Sequence, residues 1–95
     1  MTPVRWSRLA REDLNNTVDR KVDADFETAQ ALLEEAAKAT IFLATSPRAG
    51  APLGAQGGRK WRLGKLPYAL LYQVDAKRVL ILRVAHLRSD WQTFL

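Results

Sequence analysis

The stretch WRLGKLPYALLYQVDAKRVLILRVAHLRSDW, residues 61–91, decides the fold of this 95-residue chain. It contains two apolar runs, LPYALLYQV at 66–74 and RVLILRVAH at 78–86, which are separated by the break DAK. Runs of this length with apolar residues at both alternating sets of positions are typical of strands covered on both faces. We therefore predict an antiparallel hairpin that turns at VDAKR, with the basic segment RKWRLG at 59–64 pairing on its outer side.

Side-chain alternation in the second strand of this hairpin predicts which residues share a face. Strict alternation puts His86 on one face together with Leu80, Leu82 and Val84. Arg83 then lies on the opposite face. A site that needs both His86 and Arg83 is therefore not expected.

The N-terminal half shows helical spacing instead. PVRWS, residues 3–7, is a short β-like opening, and Ser7 is a residue type that caps helices. A first helix follows, because Ala10, Leu14, Val18 and Val22 recur every four residues. A second helix begins near Asp25 and stops before Pro47. Its apolar side is predicted to contain Phe26, Ala29, Leu33, Ala36 or Ala37, Thr40 and Leu43.

The segment SPRAGAPLGAQGG, residues 46–58, is predicted to be a loop because of its Gly and Pro content. Its GAQGG portion does not match a phosphate-binding loop, since that motif ends in Gly-Lys-Ser/Thr and leads into a helix. The whole chain, residues 1–95, is thus predicted to be a single α+β domain. It has an N-terminal strand, a two-helix antiparallel hairpin and then three antiparallel strands, with the helices on one face of a small sheet.

Composition limits the kinds of function. The chain has no cysteine and one histidine, so we expect no metal site, no disulfide and no cofactor. No apolar run approaches the roughly 20 residues of a membrane span, and no signal peptide is evident, so we expect a cytoplasmic protein with no membrane partner. The net charge is +5, and the cations dominate from Arg48 onward. This field favours a polyanion or an acidic protein segment as partner, although a solvated basic face explains the charge equally well.

Three segments carry a resemblance to a known family. They are VRWSRLAREDL at 4–14, SPRAGAPLG at 46–54, and GRKWRLGKLPYALLYQVDAKRVLILRVAHLRSD at 58–90. In this order and spacing they resemble the toxins of the RelE/ParE superfamily of bacterial type II toxin–antitoxin systems, and in particular the ParE branch. The resemblance covers nearly the whole chain.

The resemblance implies a toxin that is stored in a hetero-oligomer with a small ParD-like antitoxin, whose C-terminal region winds over the helix hairpin and the sheet. It also implies that operator DNA is reached only through the antitoxin. ParE-type toxins act on DNA gyrase, whereas the RelE branch cleaves messenger RNA in the ribosome. On this basis we expect antitoxin contacts at Leu14, Val18, Leu33, Ala37, Tyr72 and Arg83, and target contacts at Arg83, Arg88 and Trp91.

The residues favour the non-catalytic branch. RNA cleavage needs convergent cations together with a group that exchanges a proton. Arg62, Lys65, Arg83 and Arg88 supply charge, but His86 is expected on the face opposite Arg83, and the tail SDWQTFL lacks the C-terminal Tyr or His acid of RelE-like sites. We therefore interpret His86 as a histidine bonded to backbone at a strand end, and we predict no catalytic residue. A RelE-type endoribonuclease remains the alternative, and an unrelated basic nucleic-acid-binding module is disfavoured because no recognition helix is present.

Overall fold

A computed structural model describes residues 1–54 and 57–88 of the chain. Two helices and five strands follow one another along the chain. They are β1 (Val4–Trp6), α1 (Arg8–Lys21), α2 (Phe26–Thr45), β2 (Ala51–Leu53), β3 (Gly58–Arg62), β4 (Tyr68–Val74) and β5 (Val79–His86). The predicted α+β class, the helix hairpin and the three C-terminal strands are confirmed.

The strands form one mixed sheet in the order β1-β5-β4-β3-β2. β1 lies parallel to β5, with Val4 opposite Val79, and every other neighbouring pair is antiparallel. The segment predicted to be only a loop contributes β2, whose Ala51 pairs with Lys60 of β3. Pro52 weakened the strand signal, but β2 is an edge strand, where a missing N–H is tolerated.

Side-chain caps fix where both helices start. Ala10 N donates to Ser7 Oγ at 3.0 Å, which confirms the predicted cap of α1. Asp25 caps α2 by accepting from the hydroxyl of Thr28 and from its backbone N–H, and these two bonds lower the pKa of the Asp25 carboxyl. In the described part of the chain, neither helix has the length and apolar character needed to cross a membrane.

The predicted core side of α2 is confirmed at Ala29, Ala36 and Leu43 and is wrong at Phe26 and Leu33. Leu32 is fully buried, whereas Phe26 and Leu33 are 62% and 48% exposed. Leu32 and Leu33 point about 100° apart on the helix, so the apolar side of α2 can be drawn through either residue. Only packing against the sheet selects Leu32. The buried residues of α2 are Ala29, Leu32, Ala36, Ala39, Leu43 and Ala44.

Tyr72 anchors the connection between α2 and β2 from inside the core. Its side chain is fully buried, and Gly50 N donates to its hydroxyl at 2.8 Å. A Cβ atom at Gly50 would lie 2.6 Å from that hydroxyl and 2.7 Å from the carbonyl oxygen of Lys60. Only glycine therefore fits this close approach. Arg59 Nη1 also donates to the carbonyl oxygen of Gly50 at 2.8 Å, and burial raises the pKa of Tyr72.

Candidate functional site

An irregularity in β5 changes which residues share a face. Leu71 pairs with Arg83 and the next residue, Tyr72, pairs with Ile81, so Leu82 is an extra residue in β5. Such a β-bulge reverses the alternation of the residues that follow it. The core side chains of this strand are accordingly Val79, Ile81 and Val84. The prediction that Leu80 and Leu82 share one face with Val84 and His86 is therefore wrong.

Side chains of α1 satisfy the backbone groups that the bulge removes from the sheet. Ser7 Oγ donates to the carbonyl oxygen of Leu82 at 2.9 Å. The Asp13 carboxylate accepts from Val84 N at 3.0 Å. Because unpaired backbone groups are costly when shielded from water, these two bonds explain why the bulge forms at this position.

Asp13 also binds the side chain of Arg83 through both carboxylate oxygens. Arg83 Nε lies 2.7 Å from Oδ2, and a second guanidinium nitrogen lies 3.0 Å from Oδ1. The side chains of Arg83 and Asp13 are only 27% and 18% exposed, and the hydrogen bonds from Arg83 to Asp13 raise the pKa of the guanidinium. No local pattern predicts this pair, because the two residues lie 70 positions apart.

A shallow depression of about 250 Å³ opens beside the bulge. Its lining includes Asp13, Arg20, Tyr68, Arg83 and His86. The structure thus brings His86 and Arg83 into one depression, which corrects the expectation that they are separated.

His86 itself is bonded to backbone. Its Nδ1 accepts from Arg88 N at 3.0 Å, and its ring lies edge-on to Tyr68 with centroids 5.0 Å apart. The interpretation of His86 as a histidine bonded to backbone at a strand end is confirmed. A nitrogen that accepts an N–H carries no proton of its own, so Nδ1 is not the proton donor of a catalytic acid in this arrangement.

In the depression, the guanidinium of Arg83 is paired with Asp13, and the aromatic ring of Tyr68 lines the same space. A carboxylate occupies the place next to Arg83 that a substrate phosphate would need, and like charges repel there. Moving Asp13 away would leave Val84 N without its acceptor. The arrangement therefore favours a structural role for Arg83 over a direct role in binding a phosphate.

A second set of predicted residues lies on the helix hairpin. Leu33 and Ala37 are exposed on α2, and Ile41, 68% exposed, continues them at a spacing of four residues. Leu14 and Val18 of α1 are partly buried against the core. We call these five residues the hairpin surface. Ile41 was missed from the sequence, although the four-residue repeat of apolar side chains from Leu33 was a signal for it.

The remaining predicted site residues have different positions. Tyr72 is fully buried beneath the helices, so the prediction that a partner contacts it needs correction. Arg88 is exposed just beyond the end of β5. Trp91 lies outside the described residues, and so does the prediction made for it.

Comparison with known proteins gives consistent matches. Residues 4–91 match the family described as the ParE toxin of the type II toxin–antitoxin system parDE. A solved structure described as the chromosomal ParDE system of P. aeruginosa superimposes with a TM-score of 0.76 at 26% identity, covering 90% of this chain and 96% of that one. The toxin–antitoxin complex RelBE2 of Mycobacterium tuberculosis gives a TM-score of 0.60 at 31% identity, with the same coverage. No curated protein matches significantly.

Proposed function

Since this chain belongs to the ParE toxin family of type II toxin–antitoxin systems, we propose that it inhibits DNA gyrase and that a cognate ParD-like antitoxin neutralises it. Its target is then cytoplasmic, and so is the protein. The toxin and antitoxin form a hetero-oligomer in which the antitoxin alone contacts operator DNA.

The observation that carries the proposal for a non-catalytic toxin is the Asp13–Arg83 pair. Arg83, a cation of the depression, is bound at 2.7 Å by a carboxylate that also holds the bulge in place. An enzyme that cleaves RNA needs its cations aimed at the developing charge of the phosphate. A toxin that acts by binding needs no such site.

The hairpin surface supports an antitoxin as the partner. Leu33 and Ile41 are 48% and 68% exposed and lie on one side of α2. Large apolar side chains that cluster on a small soluble domain mark an interaction surface. An amphipathic helix laid along Leu14, Val18, Leu33, Ala37 and Ile41 would bury them in the helix-in-groove mode. The solved relatives described as toxin–antitoxin systems are consistent with such a partner.

For gyrase we propose the C-terminal end of β5. Arg88 is exposed there, and Trp91 follows three residues later in the sequence. Arg and Trp side chains often carry the largest share of interface energy. Arg83 stabilises this end of β5 because it ties the bulge to Asp13 of α1. A direct contact of Arg83 with gyrase or with the antitoxin would use the 27% of its side chain that is exposed.

A ribosome-dependent endoribonuclease is the second candidate. The observation that favours it is the gathering of Arg20, Tyr68, Arg83 and His86 around one depression. The 31% identity to the RelBE2 complex points the same way. The two candidates differ in whether any residue of the depression transfers a proton.

Replacing His86 by alanine separates these two functions. We expect the His86→Ala toxin to arrest growth to within about twofold of the wild type, whereas loss of a catalytic acid or base lowers a rate by about 10²–10⁴-fold. The measurement is growth after induction, together with incorporation of labelled amino acids, which should continue while cells filament. Arg88→Ala is the companion variant and is expected to weaken toxicity.

Thermal melts of both variants establish that they fold. A folded His86→Ala protein that is no longer toxic, in cells where the wild type stops protein synthesis at once, would favour the endoribonuclease.

A further inference from the structure

The last part of β5 is held on one side by a helix instead of a strand. The pairing of β1 with β5 ends at Ile81, whereas β5 continues to His86. Beyond that point, side chains from the start of α1 take the place of the neighbouring strand. Ser7 bonds the carbonyl oxygen of the extra residue in the bulge, and Asp13 accepts from Val84 N. The path of the strand after the bulge therefore depends on α1 as well as on β4.

Asp13 holds the bulge at two points with a single atom. Its Oδ2 accepts from Val84 N at 3.0 Å and from Arg83 Nε at 2.7 Å. The backbone of one residue and the side chain of the residue before it are thus bound to the same oxygen. An ion pair that served only to neutralise Arg83 would need no bond to the backbone. The contact therefore fixes the path of β5 and not only the charge of its arginine.

The bulge sets the register of the residues that follow it. With the bulge in place, His86 lies opposite Tyr68, and their rings meet edge-on. If the extra residue moved into the ladder, the residues after it would slip by one position and every side chain would change face. Leu87 N would then lose its acceptor, the carbonyl oxygen of Pro67 at 2.8 Å. The end of β5 keeps its direction while the bulge is held.

The position of Arg88 follows from this end of the strand. Its backbone N–H donates to His86 Nδ1 at 3.0 Å, and its side chain is exposed. The connection from Asp13 to Arg88 runs along the backbone of β5. The most exposed residues of the hairpin surface, Leu33 and Ile41, lie on α2 instead. A change at Asp13 is thus expected to move Arg88 and to leave these two residues in place.

We propose that Asp13 is a positioning residue for target recognition, because by holding the bulge to α1 it sets the direction in which the end of β5 presents Arg88 to gyrase. This proposal rests on the proposed function, since it takes gyrase as the target and Arg88 as a contact. Asp13 acts through the strand and needs no contact with gyrase itself. Ser7 assists it with one hydrogen bond to the bulge.

The test compares two properties of the full-length toxin, its inhibition of purified gyrase and its affinity for the antitoxin. Asp13→Ala is expected to raise the toxin concentration for half-maximal inhibition about tenfold or more, and to change the antitoxin affinity by less than about twofold. Asp13→Asn should restore inhibition to within about threefold of the wild type. An amide oxygen in the place of Oδ2 still accepts from Val84 N and Arg83 Nε.

Control variants separate positioning from a loss of stability. Leu43→Ala removes a fully buried side chain of α2 and destabilises the fold at least as much as Asp13→Ala, yet it should inhibit gyrase like the wild type. Asp19→Ala removes an exposed carboxylate of α1 and should change neither property. Thermal melts set a temperature at which all variants are folded.

A double-mutant cycle asks whether Asp13 acts through Arg88. Arg88→Ala alone should weaken inhibition, and adding it to Asp13→Ala should cause little further loss, because both changes remove the same contact. A purely structural role of Asp13 would instead give losses that add.

Other outcomes overturn the proposal in distinguishable ways. If Leu43→Ala loses as much inhibition as Asp13→Ala, stability alone explains the loss. If the losses of Asp13→Ala and Arg88→Ala add fully, Asp13 does not act through Arg88. In both cases the proposed function stands, because the wild type inhibits gyrase. If the wild type does not inhibit gyrase, the proposed function fails, and the positioning role fails with it.

Discussion

Introducing two glutamates on the hairpin surface, Leu33→Glu and Ile41→Glu, is expected to weaken antitoxin binding at least about 100-fold. Both side chains are exposed in the free toxin, so the fold tolerates the changes. In the complex each glutamate would bury a charge against an apolar helix. If each of the two central contacts contributes about 1.4 kcal/mol or more to the binding free energy, the loss of both weakens the affinity at least about 100-fold. The affinity is measured by calorimetry or by surface-based binding.

The same variant has a clear phenotype in cells. Free toxin should remain active, because neither residue lies at the end of β5, so co-expressed antitoxin should no longer rescue growth. Leu9→Glu is the matched control, since Leu9 is an exposed apolar residue of α1 outside the hairpin surface. Rescue of the double variant at wild-type antitoxin levels would show that the antitoxin binds elsewhere.

Replacing Asp13 by alanine is expected to lower the free energy of unfolding by about 2–3 kcal/mol. The carboxylate is the acceptor for Val84 N and for two guanidinium nitrogens of Arg83, and hydrogen bonds to charged groups contribute about 1.5–3 kcal/mol. For a domain of this size the melting temperature should fall by about 10–20 °C. Chemical and thermal denaturation both measure the effect.

Two further variants isolate the cause of that loss. Asp13→Asn keeps one oxygen acceptor and should lose roughly half as much stability. Asp19→Ala removes an exposed carboxylate from the same helix and should change stability by less than about 0.5 kcal/mol. An Asp13→Ala protein as stable as Asp19→Ala would mean that the bulge does not depend on α1.

Much of this fold could be predicted because its signals are local. The spacing of Ala10, Leu14 and Val18 indicated α1. Ser7 indicated where α1 begins, because its hydroxyl accepts a hydrogen bond from Ala10 N, only three residues later in the sequence. The apolar runs 66–74 and 78–86 were long enough to identify β4 and β5. In each case the deciding contact joins residues near one another in the sequence.

The bulge in β5 could not be predicted, because its cause lies outside the strand. Leu82 and Val84 depend on Ser7 and Asp13, residues at the other end of the chain. Without that contact the strand alternates normally, and Leu80 and Leu82 are assigned to the same face as Val84 and His86. The candidate depression was therefore missed as a unit, although Arg83 and His86 were each considered.

Burial was ambiguous for a related reason. Leu32 and Leu33 are chemically identical neighbours, and the sheet alone decides that Leu32 is buried and Leu33 is exposed. Tyr72 was expected to contact the antitoxin where the antitoxin crosses the sheet, but Gly50 approaches closely enough to bond the Tyr72 hydroxyl inside the core. The apolar spacing indicated two helices with apolar stripes, whereas the identity of the exposed apolar residues required the packed structure.

Inhibition of gyrase is tested by adding the purified toxin to purified DNA gyrase and following the supercoiling of a relaxed plasmid. In parallel, the toxin is added to ribosomes translating a defined messenger RNA. We expect that the toxin inhibits supercoiling, that antitoxin added first prevents the inhibition, and that the messenger stays intact. Unchanged supercoiling together with cleavage of the messenger on the ribosome would contradict this expectation.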